Sequence, residues 1–489
     1  MRIMRDEKDY LTGSEGTAFK LPLSVFEYYM FLDDCAGNTM TLPLSITVAG
    51  KIDRAAIESA YFSACELHPL FCATISKRDR CWHKAEKPEG IIWLEADDNN
   101  LFPWDEQHID ITQSTGLRLA IVDSGETSVF HFLFHHCVAD GVGFFQFLNS
   151  FFSCYLKNIG QNITPLQYDI ANLVNRAKYK LSPPPKRVTF FSAVKFLVVE
   201  VLRWFMCRPL LPVSQSVSEP AVPSTKYQSY EKCDFEIAGE LVQFELRRWG
   251  KSGFIFVRLS REMTSRILVK SKSHNFTIGD MLLSGLFISL ANSKYLSFAD
   301  AGGKIKEIRG NEFLRVGLVN NMRGVGTDLI SGCNMISYSF PMRQFMDCCA
   351  DTDFCKKVSE ELRYIKDYNV GKTFMDGLSF FMRVPFFINK FIKSNRCLAS
   401  VILSSMNRLE LFLSGEFPRD EFGVVHVGGM RLLDFSCAAP YRRGTPISVA
   451  TNTYAGQLGF FVQYDTNKIT QKDTANWLTE WINIIVKEL

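Results

Sequence analysis

Two spacings of apolar residues interleave along the chain. Residues 44–48 alternate apolar with polar and are expected to form a strand, while residues 52–68 carry Ala55, Ile57, Ala60 and Leu67 at helical spacing. Residues 116–122 and 128–135 read as strands on either side of a turn at Gly125, and residues 144–155 as a helix. In the second half, strands are expected at 253–259, 314–320 and 336–340, and near Val401 and Leu409. Thr277 is placed to cap a helix over 277–293. Residues 447–452 and 458–464 flank Tyr454-Ala455-Gly456-Gln457 in a hairpin pattern, and an amphipathic helix over 472–486 carries Trp477, Leu478, Trp481 and Ile485. Strands and helices mixed this way in both halves specify an α/β or α+β fold.

Length and composition divide that fold in two. A chain of 489 residues, 47% of them hydrophobic, buries more apolar surface than one compact core usually holds. Proline and serine concentrate at 183–185 and 212–223, where regular pairing is hard to maintain, so the boundary is expected near residue 225, between lobes 1–225 and 226–489.

Charge and cysteine usage narrow the setting. With 55 basic and 52 acidic residues the net charge is +3, too balanced for an electrostatic binder of nucleic acid. Fourteen cysteines without a Cys-x-x-Cys pair, and an N-terminus without an apolar signal core, fit a reduced, cytoplasmic protein. Two apolar segments interrupted by charge complicate this picture: 188–211, with Lys195, Glu200 and Arg203 on one helical stripe, and 380–396, with Arg383, Lys390, Lys393 and Arg396. Neither offers the roughly 20 uninterrupted apolar residues that span a bilayer. Packing on the core is the commoner fate of such faces, and peripheral contact with anionic lipid is the alternative.

Candidate chemistry concentrates in Phe130-His131-Phe132-Leu133-Phe134-His135-His136-Cys137-Val138-Ala139-Asp140-Gly141. An aromatic strand that runs into two histidines, an acid and a glycine puts imidazoles where a buried strand ends and the chain turns. Imidazole, with an unperturbed pKa of about 6.5, can take a proton near neutral pH and return it. The competing readings are a satisfied core histidine and a metal site. Successive side chains on a strand point to opposite faces, so His135 and His136 are poorly placed to share an ion, and no metal is expected.

The stretch His135-His136-Cys137-Val138-Ala139-Asp140-Gly141 resembles the His-His-x-x-x-Asp-Gly signature of the superfamily of chloramphenicol acetyltransferase-like enzymes, peptide-synthetase condensation domains, plant BAHD acyltransferases and polyketide-associated acyltransferases. The opening, with Leu21-Pro22-Leu23-Ser24, Gly50-Lys51-Ile52-Asp53 and His68-Pro69-Leu70, is similar to the family's as well. The resemblance implies two similar α/β lobes forming a pseudo-dimer with the active site at their interface. It also implies His136 as general base, Asp140 as a structural residue holding the loop, and Gly141 as a point of close backbone approach. Residues 314–323 (LRVGLVNNMR) resemble a second-lobe strand ending in arginine, which makes Arg323 the candidate partner of Asp140. Gly332-Cys333-Asn334 and, loosely, Leu403-Ser404-Ser405-Met406-Asn407-Arg408 resemble segments beside the family's substrate channel, so Asn334 and Ser404, with His135, are the candidate substrate contacts. Ser405 and Asn407 stand where the family usually has Asn and Gly, and the BAHD Asp-Phe-Gly-Trp-Gly motif is absent, Leu433-Asp434-Phe435-Ser436 being nearest.

The function so implied is transfer of an acyl group from a coenzyme A or carrier-protein thioester to a hydroxyl or amine. The thioester is a co-substrate, with no permanently bound cofactor. The acceptor is a small molecule, for which 41 phenylalanines suit a lipophilic one, and the protein acts as a monomer. Amide-forming condensation with an acyl carrier protein in trans, and a non-catalytic protein of the same fold, are the alternatives. The chain carries no Gly-Gly-x-Ser attachment site of its own.

Overall fold

The strand expected over 128–135 forms as Thr127–His135 and is central to a six-stranded sheet. The structure, a computed structural model, describes residues 19–85, 88–95, 102–164, 166–177, 209–214, 226–300, 303–324, 330–382 and 399–489. Thr127–His135 pairs antiparallel with Thr41–Ala49 on one side and Leu117–Asp123 on the other. Side-chain alternation then sorts its residues. Phe130 meets Phe151 and Phe132 meets Phe144 of the helix Gly141–Asn158 edge to face, while Phe134 stacks nearly parallel on Phe144 at 4.6 Å. His131, on the other face, is 2.9 Å from the Ser45 hydroxyl. The helix Arg54–Leu67, capped by Asp53, packs against Gly141–Asn158, with Tyr61 edge-on to Phe147.

The chain divides into two units. One takes Met1–Lys180, Asn321–Ile336 and Arg408–Cys437; the other takes Leu181–Asn320, Ser337–Asn407 and Ala438–Leu489. Two stretches from the second half of the sequence thus belong with the first unit. The strand Met430–Cys437 pairs with Thr41–Ala49, and residues 330–335 bond to His68, His136 and Asp140. Residues 215–225, where a boundary was expected, lie outside the described residues.

In the second unit a nine-stranded sheet carries the hairpin Ile447–Tyr454 and Gln457–Asp465, whose turn residues Ala455 and Gly456 both have positive φ, 49° and 76°. That is the backbone twist a two-residue hairpin turn requires. Its core takes in the helices Ile278–Asn292 and Gln471–Asn483, the first closed by a reciprocal Thr277–Asp280 capping box.

Three expectations change. Leu409 does not start a strand: Leu409–Phe412 is a single 3-10 turn, held because Asn149 donates to the Phe412 carbonyl and accepts from Ser414 N–H. Pro212, expected in a linker, sits in the strand Leu211–Val213 opposite Phe298, where a two-stranded ribbon tolerates the missing N–H. The C-terminal helix ends at Asn483 and continues as a wider turn, Ile484–Glu488. The apolar segments fall at 188–208 and 383–396 outside the described residues; of the second, Phe380 lies in the last turn of the helix Gly371–Met382 with 65% exposure. Among the described residues no helix is long and apolar enough to cross a membrane.

Candidate active site

The strand that carries the histidines ends at His135, and the chain turns through Cys137 and Val138 into the helix Gly141–Asn158. Two hydrogen bonds fix the turn: His136 N–H donates to Met40 O at 2.7 Å and Val138 N–H to His135 O at 2.9 Å. His136 is 7% exposed, with Nδ1 3.1 Å from the Ala139 carbonyl. A carbonyl only accepts, and at 3.1 Å it lies closer to Nδ1 than the Asn334 amide nitrogen does at 3.4 Å, so the shorter contact favours the imidazole proton on Nδ1 and leaves the lone pair on Nε2, which has no hydrogen-bond partner among the described residues. Burial pushes the pKa of His136 below its ordinary value, and the Ala139 carbonyl and Asp140 carboxylate offset this only in part. A neutral imidazole with a free Nε2 is the form that can accept a proton.

Asp140 turns away from that ring. Its Oδ1 accepts from Gly143 N–H at 2.8 Å, capping the helix, and its Oδ2 accepts from Met335 N–H and Arg323 Nη1, both at 2.7 Å. Arg323 also donates through Nη2 to Cys333 O at 2.8 Å. The carboxylate and guanidinium therefore clamp residues 333–335 onto the start of the helix.

Asn334, expected to touch substrate, holds the His136 backbone instead. It is 1% exposed and donates to the His136 carbonyl at 2.7 Å. His135 is corrected in the same way: it is fully buried, its Nδ1 accepts from Cys137 N–H, and its Nε2 faces Asp34 at 3.6 Å. Gly141 is the first residue of the helix, and the close backbone approach belongs to Gly143, where a Cβ would lie 2.3 Å from Cys333 O. Gly332 faces it, a Cβ there lying 2.6 Å from Gly143 O. Ser404 is half-buried on the strand Val401–Arg408 of the other unit.

His68 completes the support. Its Nδ1 accepts from Gly332 N–H at 2.8 Å and its Nε2 lies 2.9 Å from Ser150 Oγ, while burial lowers its pKa to about 3. It is thus a neutral brace for the loop that carries Cys333 and Asn334. The thiols nearby are not nucleophiles: burial pushes Cys137 well up and Cys333 to about 12. The signals for Gly143 and Gly332 are in the sequence, as small residues two positions beyond Asp140-Gly141 and two before Asn334, but the need for them arises only when the two segments meet.

No protein-family model matches the chain, and no curated protein sequence matches it. Solved structures do. TRI3 trichothecene 15-O-acetyltransferase from Fusarium sporotrichioides aligns over 97% of this chain and 96% of its own, with a TM-score of 0.65 at 12% identity. The condensation domain of the monacolin K polyketide synthase MokA aligns over 96% and 98%, with a TM-score of 0.61 at 12% identity. The epimerization domain from the third module of tyrocidine synthetase B aligns over 97% and 98%, with 0.60 at 12%. The chain has the chloramphenicol acetyltransferase-like fold shared by these acyltransferase and condensation-type proteins.

Proposed function

We propose that the protein is an acyltransferase that moves an acyl group from a thioester to a hydroxyl or amine, with His136 as general base. The observation that carries this reading is the imidazole held through Nδ1 by Ala139 O, neutral through burial, with Nε2 unpartnered among the described residues. Nε2 takes the proton of the acceptor O–H or N–H as that atom attacks the thioester carbonyl. A carbon–oxygen or carbon–nitrogen bond forms, the carbon–sulfur bond breaks, and the imidazolium returns the proton to the departing thiolate. No enzyme-bound acyl intermediate is needed. Asp140, committed to Arg323 and two backbone N–H groups, fixes the loop and makes no hydrogen bond to the imidazole. Ser404 is the candidate donor to the oxyanion, a contribution of a few kcal/mol for groups of that kind.

The donor is an acyl-coenzyme A or an acyl-carrier protein, and the acceptor a small molecule, lipophilic or polar. An O-acetyltransferase and a condensation domain align over nearly all of the chain, which supports acyl transfer over a non-catalytic role and keeps carrier-dependent amide formation as the second reading. A screen of acetyl-, medium- and long-chain acyl-coenzyme A, and of an acyl-loaded carrier, against mixed alcohols and amines tests this by free-thiol release. Acceptor-dependent release that His136→Ala abolishes is expected; no release above background from any donor would overturn it.

A further inference from the structure

One buried carboxylate grips the chain on both sides of the base. Asp34, which follows the helix Val25–Asp33, is 10% exposed at its side chain. Its Oδ1 accepts from Met40 N–H at 2.8 Å, and Met40 O in turn accepts from His136 N–H at 2.7 Å. Its Oδ2 lies 2.8 Å from His108 Nε2 and 3.6 Å from His135 Nε2. His135 Nδ1 accepts from Cys137 N–H at 3.1 Å, so the His135 proton is on Nε2, directed at Asp34. The amide of residue 136 is thus tied to this carboxylate through Met40, and that of residue 137 to the His135 ring, whose Nε2 faces the carboxylate at 3.6 Å, an electrostatic approach longer than a hydrogen bond.

We infer that Asp34 is a positioning residue for acyl transfer, setting the place of the His136 imidazole through Met40 and His135 without touching substrate. The inference rests on His136 being the base. Burial alone would raise the pKa of Asp34, but its hydrogen bond to His108 and the nearby His135 ring hold it well below the usual carboxylate range, so the negative acceptor persists at working pH. It also gives His135 its work: a ring-sized spacer between a carboxylate and a backbone N–H.

The test compares Asp34→Ala, which removes both acceptor oxygens, with Asp34→Asn, which can still accept from Met40 N–H. A displacement of about 1 Å at a reacting group costs on the order of a hundredfold in rate. Asp34→Ala is expected to lower kcat about a hundredfold and Asp34→Asn about tenfold, with KM for the thioester within about twofold of wild type. Nitrogen NMR of protein labelled in its histidine rings gives the independent readout, the His136 signals being assigned by their loss in His136→Ala. Wild type should show a single Nδ1–H tautomer, and Asp34→Ala an averaged one. Wild-type kcat in folded Asp34→Ala, or an unchanged His136 tautomer, would overturn the inference. If His136→Ala itself kept the wild-type rate, the base assignment would fall, while the NMR comparison would still decide whether Asp34 positions the ring.

Discussion

Asp140 Oδ2 and Arg323 Nη1, 183 positions apart in sequence, meet at 2.7 Å with each side chain only 2% exposed. The pair joins the start of the helix Gly141–Asn158 to the segment that carries Cys333 and Asn334, and Asn334 in turn holds the His136 carbonyl. Removing one partner leaves a buried charge uncompensated. Arg323→Ala is expected to destabilise the fold by about 3–5 kcal/mol and to lower kcat, while Arg323→Lys keeps the charge but loses the second bond, to Cys333 O. Denaturant unfolding followed by activity in the surviving folded fraction separates the two effects; an unchanged midpoint for Arg323→Ala would rule out a structural role for the pair.

Gly143 is predicted to be intolerant of even one methyl group. An added Cβ would meet the Cys333 carbonyl oxygen at 2.3 Å and its nitrogen at 2.8 Å, both backbone atoms that cannot swing aside. Gly143→Ala should cost about 1–3 kcal/mol. Gly377, inside the helix Gly371–Met382 with nothing within 4 Å of its Cβ position, is the control: Gly377→Ala should be neutral or stabilising by up to about 1 kcal/mol. Equal melting temperatures for the two variants would contradict the close approach.

The pH dependence of kcat/KM follows from burial of His136. Its pKa lies below 6.5, and only the neutral ring can act as a base, so the acid limb should fall at a pH below that of an ordinary histidine. A pH–rate profile with its acid limb above pH 6.5 would be inconsistent with this environment.

Stability should respond to acid through His68. Its folded-state pKa is about 3 against 6.5 when unfolded, so between those values the unfolded chain binds a proton that the folded chain refuses. The contribution is complete above about pH 6.5 and is lost progressively as pH falls toward 3, a change of a few kcal/mol. His68→Gln should therefore show a shallower loss of stability with acid than wild type, whatever its stability at neutral pH. Parallel curves would exclude His68 as the source.

Much of this was legible beforehand. Alternation and helical spacing located the strand Thr127–His135 and the helices Arg54–Leu67 and Ile278–Asn292, because each buries a face with an uninterrupted period. The resemblance supplied Arg323 as the partner of Asp140. The division of labour around His136 was not legible. Asn334 and His135 are polar residues next to the proposed base, which reads as substrate contact, but both are consumed by the backbone of the loop itself. Asp34 and His68 lie 102 and 68 residues from His136, and their roles depend on a hydrogen bond to Met40 and on the arrival of residues 330–335, which no local pattern encodes.

In the proposed reaction His136 Nε2 takes the acceptor's proton. Single-turnover acyl transfer at saturating thioester and acceptor, comparing wild type with His136→Ala and following the acylated product by mass, tests it most directly. The variant is expected to react about a hundredfold to ten-thousandfold more slowly, with thioester binding retained. Product formed by folded His136→Ala at the wild-type rate would contradict it.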